Sequence, residues 1–155
     1  MALNRNNRQK ARSAFFGNNS GLETSKYSVR SDDSNETNGL LNYGYSLVMS
    51  EVARKIAEFG YLTEFGIHHD SEKNPFNLAC DLMEPFRPFV DAKVFELREQ
   101  TLNSEVKNEL IRLLRTDLPE FGTCLTQLIN IFVRDAFHYL SGDGRLPELG
   151  FIDEV

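Results

Sequence analysis

No stretch of this chain alternates apolar and polar residues for long enough to make a half-buried strand. From residue 38 onward, apolar residues instead recur every three or four positions. That pattern argues against a sheet-built core and predicts an all-α fold of about five helices. The clearest helix spans 38–60. Leu41, Tyr45, Val48, Val52 and Ile56 form one continuous apolar stripe, Asn38 can cap the start and Gly60 can close the end. Glu51, Arg54, Lys55 and Glu58 lie off the stripe. Tyr43 and Tyr45 flank Gly44. They read either as core aromatics around a close helix contact or as a source of a Tyr hydroxyl near a phosphate.

A second helical pattern starts at Pro75, a residue well tolerated at a first helical position. It runs through Phe76, Leu78, Ala79, Leu82, Met83, Phe86, Phe89 and Val90. Pro85 and Pro88 should kink or split it near Glu84, because proline has no N–H to give and crowds the preceding turn. Its amphipathic end covers 94–98. Ser104 opens a further helix with Val106, Leu110, Leu113 and Leu114 on one face. The last long helix spans 122–140 on Leu125, Leu128, Ile129, Phe132, Ala136 and Phe137, and Gly142 and Gly144 end it. Residues 5–17 also look helical, with a short apolar face behind a basic run. The chain thus divides into a helix over 1–17, a polar loop over 18–38, a helical core over 39–140 and a tail over 141–155. A loop of that length is often functional or disordered.

The 155 residues suit one domain large enough to bury a core. There is no Trp and there are 12 Phe, which points to a core of Phe and Leu. Net charge is −6, which argues weakly against nucleic-acid binding. Its distribution says more. Residues 1–30 hold six basic side chains and one acidic, a balance of +5, and the rest of the chain carries −11. A basic arm on an acidic body can meet phosphate, or can simply be a solvated terminus. Cys80 and Cys124, with no apolar leader before them, point to a reducing cytoplasm and not to a disulfide. Cys80 reads as buried filler. No apolar run is long enough to span a bilayer, so no membrane partner is expected.

The chemistry concentrates in 65–91. Asp81 and Glu84 stand three apart and share a helix face, and His68 and His69 precede them on a loop. An imidazole beside two carboxylates suits Mn²⁺, and the oxygens suit Mg²⁺. Solvated surface charges are the commoner explanation for such a set, and spacing does not separate His68 from His69. There is no P-loop, GxSxG, CxxC or HExxH.

LLNYGYSLVMSEVARKIAEFG, then FGIHHD, then NPFNLACDLMEPFRPFVD closely resemble the C-terminal helical domain of the CRISPR-associated integrases, the Cas-one family, in its type II branch. ARSAFFG and Arg30 match as well, so the likeness runs from about Ala11 to at least Leu97. Members are metal-dependent DNA endonucleases and integrases that insert short fragments into a CRISPR array by transesterification. The resemblance implies Mg²⁺ or Mn²⁺ held by His69 and Glu84, with Asp81 in support. It implies DNA contacts from Arg12, Arg30, Tyr45 and Arg87. The implied partners are protospacer and repeat DNA, the small Cas-two subunit and a second copy of the chain. The family's first metal ligand is a Glu whose register falls near Asn4, where residues 1–17 hold neither Glu nor Asp. Glu51 is a poor substitute on another helix. An N-terminal β-rich domain is also expected of the family, and this chain begins after it. A non-catalytic fragment that binds DNA or a partner is the alternative expectation.

Overall fold

The structure is a computed structural model and describes residues 35–149. The expected helix over 1–17, most of the loop over 18–38, and both Arg12 and Arg30 lie outside those residues.

Helix α1, Asn35–Glu58, is the axis of the molecule and packs against every other helix described. It starts earlier than its apolar pattern predicts, with Glu36 in the first turn, where a negative charge suits the helix dipole. Asn38 is therefore an exposed residue inside the helix and not its cap. Leu40, Gly44, Val48, Val52 and Ile56 are buried at steps of four, so the stripe runs through Leu40 and leaves Leu41 at its margin. Gly44 marks the closest helix contact. A Cβ there would lie 2.5 Å from Val90 Cγ1 and 3.7 Å from Leu110 Cδ2. Hydrogen at this position lets three helices converge on one point.

The second helical pattern is broken as its prolines require. Helix α2, Asn77–Met83, gives way to a 3-10 turn over Glu84–Phe86, and α3 restarts over Arg87–Leu97. Pro85 and Pro88 each stand at the start of the segment that follows the break, where a missing N–H costs nothing. Phe86 sits inside the bend, fully buried, with its ring edge-on to Phe132 at 5.4 Å. Pro75 precedes α2 by two residues and does not open it. Phe76, expected in the stripe, is exposed because it lies outside the first helical turn.

Helix α4, Ser104–Leu113, is capped by Asn103, whose side chain accepts the Val106 N–H at 2.9 Å. A two-residue hairpin follows, β1 Asp117–Leu118 antiparallel to β2 Thr123–Cys124. This hairpin keeps residues 123–124 extended, so α5 spans Leu125–Ser141 and starts three residues later than its pattern predicts. Beyond α5, residues 145–149 have no regular structure, and Leu149 packs against the core.

The core is built mainly from Leu, Val and Ile. Of the Phe residues described, only Phe86, Phe132 and Phe137 are buried, while Phe59, Phe65, Phe76 and Phe95 are exposed. Tyr61 stacks on Phe137 with centroids 3.8 Å apart, and Phe59 meets the same ring edge-on. This cluster pins the loop that leaves α1 against α5. Cys80 and Cys124 are both free and partly buried. No helix among the described residues is long and apolar enough to cross a membrane.

Candidate functional site

The loop between α1 and α2 carries His68 and His69, and α2 shapes it. Two polar residues one turn apart on that otherwise apolar helix, Asn77 and Asp81, are buried beneath the loop. The Asn77 amide donates to the carbonyls of Glu64 at 3.0 Å and Ser71 at 2.8 Å. The loop is thus tied at both ends to one side chain. Thr63 adds two bonds, its carbonyl accepting the Leu78 N–H at 2.8 Å and its hydroxyl donating to the Pro75 carbonyl at 2.7 Å.

The Asp81 side chain is fully buried and accepts the successive backbone N–H groups of Ile67, His68 and His69, the last two at 2.8 and 3.1 Å. Three oriented amides compensate a carboxylate charge that water no longer reaches. The same carboxylate meets the His69 ring, Nδ1 to Oδ1, at 2.6 Å. An ionised carboxylate only accepts, so Nδ1 carries the proton and, in the neutral ring, Nε2 keeps its lone pair. Metal-binding histidines are oriented in this way, with the second nitrogen donating to a carboxylate. The His69 side chain is 43% exposed, so the ring remains accessible. His68 is also exposed, and its ring stands edge-on to that of His69 at 5.6 Å.

Gly66 allows this fold. A Cβ at that position would lie 2.2 Å from the His69 carbonyl oxygen and 2.8 Å from Asp81 Oδ2. No other residue fits without moving backbone.

Glu84 begins the 3-10 turn one helical turn after Asp81 and is half-buried. Its Oε1 lies 3.0 Å from Arg87 Nη2. The Arg87 guanidinium in turn lies over the Tyr45 ring, 4.9 Å from its centroid. Tyr45, expected to offer its hydroxyl to a phosphate, donates that hydroxyl to Asp91. Glu51 is paired with Arg54 at 2.5 Å on α1. Among the described residues, no three His, Cys, Asp or Glu side chains gather as a metal ion requires. His69 and Glu84 therefore offer an imidazole and a carboxylate of suitable chemistry, and a third ligand is not found among the described residues.

A family model described as CRISPR associated protein Cas1 matches residues 9–111. The chain belongs to the Cas1 family. The matched span contains the whole loop, α2, the bend and α3. Among curated relatives, the CRISPR-associated endonuclease Cas1 of Neisseria meningitidis serogroup C (strain 8013) is 42% identical over 88 residues, which is 54% of this chain and 29% of that protein. The CRISPR-associated endonuclease Cas1 of Korarchaeum cryptofilum (strain OPF8) is 27% identical over 127 residues, 72% of this chain and 37% of that protein. The chain thus spans about a third of the length of these relatives. A solved casposase bound to integration product superposes with a TM-score of 0.60 at 26% identity, covering 76% of this chain and 41% of that one.

Within this Cas1 domain, periodicity and spacing missed Asn77, Gly66 and Asp91. The signal for the first was available: Asn77 and Asp81 stand at i and i+4 on a helix whose other inward positions are apolar. Such a pair must find partners once buried. Gly66 gave no comparable signal, because its role comes from residues up to fifteen positions away.

Proposed function

We infer that this chain acts in CRISPR adaptation as the helical DNA-processing domain of a Cas1 integrase, a metal-dependent endonuclease that joins short DNA fragments to a CRISPR array. The observation that carries this reading is the His69–Asp81 pair, an imidazole oriented by a buried carboxylate one turn before Glu84, inside the span that matches the family. The casposase neighbour, solved bound to integration product, supports the choice of DNA as substrate.

In this reading His69 and Glu84 would hold Mg²⁺ or Mn²⁺, and Asp81 keeps the His69 ring in the tautomer suited to binding it. A divalent ion, when bound, supplies charge stabilisation on the oxygens of the scissile phosphate. In joining, a 3′-hydroxyl oxygen forms a bond to phosphorus and gives up its proton. The bond from phosphorus to the leaving 3′-oxygen breaks, and that oxygen takes up a proton. Arg87 donates to a phosphate oxygen, and Arg12 and Arg30 of the basic segment 1–30 contact the DNA backbone. The Cas-two subunit and a second copy of the chain are the protein partners, and the cytoplasm is the compartment.

A second reading, a non-catalytic fragment that binds DNA or a partner, is favoured by one observation: residues 1–17, where the family's first ligand is expected, hold neither Glu nor Asp. Mn²⁺-dependent cleavage of a branched DNA separates the two. Activity that is lost on chelation and in both His69→Ala and Glu84→Ala supports the enzyme. DNA binding with no cleavage at any Mn²⁺ concentration supports the second reading.

A further inference from the structure

Glu84, Arg87 and Asp91 lie in line along the bend and α3, at i, i+3 and i+7. Tyr45 reaches them from α1. A surface arginine ordinarily samples many rotamers, and a single ion pair restrains it little. Arg87 is held differently. Its Nη2 meets Glu84 at 3.0 Å, its guanidinium carbon lies over the Tyr45 ring 4.9 Å from the centroid, and its Nε is buried with no hydrogen-bond partner among the described residues. The ring is itself tethered, because its hydroxyl donates to Asp91. A tethered ring is a fixed platform for the guanidinium above it.

We propose that Tyr45 and Asp91 are positioning residues for Arg87: Asp91 fixes the Tyr45 ring, the ring fixes the guanidinium, and Arg87 is thereby held beside Glu84 with the exposed part of its guanidinium available to a phosphate oxygen. The phosphate rests on the reading given under Proposed function, while the positioning does not. Tyr45 then serves DNA only through Arg87. The competing role is a direct contact of the Tyr45 ring or hydroxyl with DNA.

The test has two arms, both on the 155-residue chain. The first follows the Arg87 Nε–Hε resonance by NMR in the wild type, Tyr45→Phe and Asp91→Ala. Each variant should move that signal toward the position of a free arginine and speed its exchange with water, with the other arginine signals and the melting curve unchanged. A signal unmoved in both variants overturns the proposal. The second arm measures Kd for a branched DNA duplex across a salt series in the wild type, Tyr45→Leu, Arg87→Gln and the double variant. Arg87→Gln should lower the slope of log Kd against log salt by about one. Tyr45→Leu should weaken binding in the wild-type background and add less than twofold in the Arg87→Gln background. Additive losses would show Tyr45 acting on DNA itself and overturn the proposal. If the wild type binds no DNA, the functional reading fails, and the first arm still decides the positioning.

Discussion

Asp81 holds His69 twice, through the ring and through the backbone: its Oδ1 accepts from Nδ1 at 2.6 Å and from the His69 N–H at 3.1 Å. One buried carboxylate therefore fixes both where the residue sits and which way its ring faces. Asp81→Ala removes the acceptor for three successive amides at once. We expect a loss of about 2–4 kcal/mol in stability, because donors left without partners inside a protein keep their desolvation cost. Urea denaturation measures it, and a change under about 0.5 kcal/mol would contradict this account. Asp81→Asn should recover little, since its NH₂ group faces N–H donors. NMR of the imidazole nitrogens should show Nδ1–H in the wild type and a mixture of tautomers in either variant.

Gly66→Ala tests the same arrangement from the other side. Its Cβ would sit 2.2 Å from the His69 carbonyl oxygen, which is backbone and not the end of a flexible chain. The loop must move, at a cost of about 1–3 kcal/mol for an overpacked contact. His69 should lose its bond to Asp81, visible in the same imidazole spectrum. An alanine variant with wild-type stability and an unchanged His69 signal would mean that the loop has slack this structure does not show.

How much of this could be read from the chain depended on whether a feature was local. The stripe Val48, Val52 and Ile56 and the break at Pro85 and Pro88 follow from period and backbone chemistry, and the structure contains them. The start of α1 at Asn35 was hidden because residues 35–39 carry little apolar signal, while Glu36 and later packing stabilise the turn anyway. The late start of α5 reflects a hairpin of two residues per strand, too short to leave an alternating pattern. In the site, spacing placed Asp81 and Glu84 near each other and left His68 and His69 unresolved. The choice of His69 came from family resemblance. The structure adds a hydrogen bond from His69 Nδ1 to Asp81. Asp91 could not have been singled out, because its partner Tyr45 is 46 residues away.

Phe86 joins the bend to the last helix. It is fully buried and meets Phe132 edge-on at 5.4 Å. Phe86→Ala should cost about 3–5 kcal/mol through lost burial and the cavity left behind. Phe86→Leu should cost much less, because a smaller void can be refilled by neighbours. Thermal and urea unfolding of the pair would check the ordering. Equal losses would show that the edge-on aromatic contact, and not volume, dominates.

Asn77 offers a sharper separation of structure from chemistry. Its amide ties the carbonyls of Glu64 and Ser71, eight residues of loop, to one point on α2. Asn77→Ala leaves Asp81 and the His69 ring bond chemically intact but frees the ends of the loop. Global stability should fall by about 1–3 kcal/mol, the net worth of two lost hydrogen bonds. The larger effect should be local. Amides of residues 66–71 should exchange with solvent at least tenfold faster than in the wild type, beyond any change in the α1 and α5 amides, because opening that stretch now breaks fewer bonds. Hydrogen exchange read residue by residue decides this. A uniform increase across the whole chain would mean that Asn77 supports the core and has no special hold on the loop. If instead the loop amides alone speed up, and Asn77→Ser restores part of their protection through one remaining hydroxyl bond, then Asn77 is a latch for the segment that carries His69.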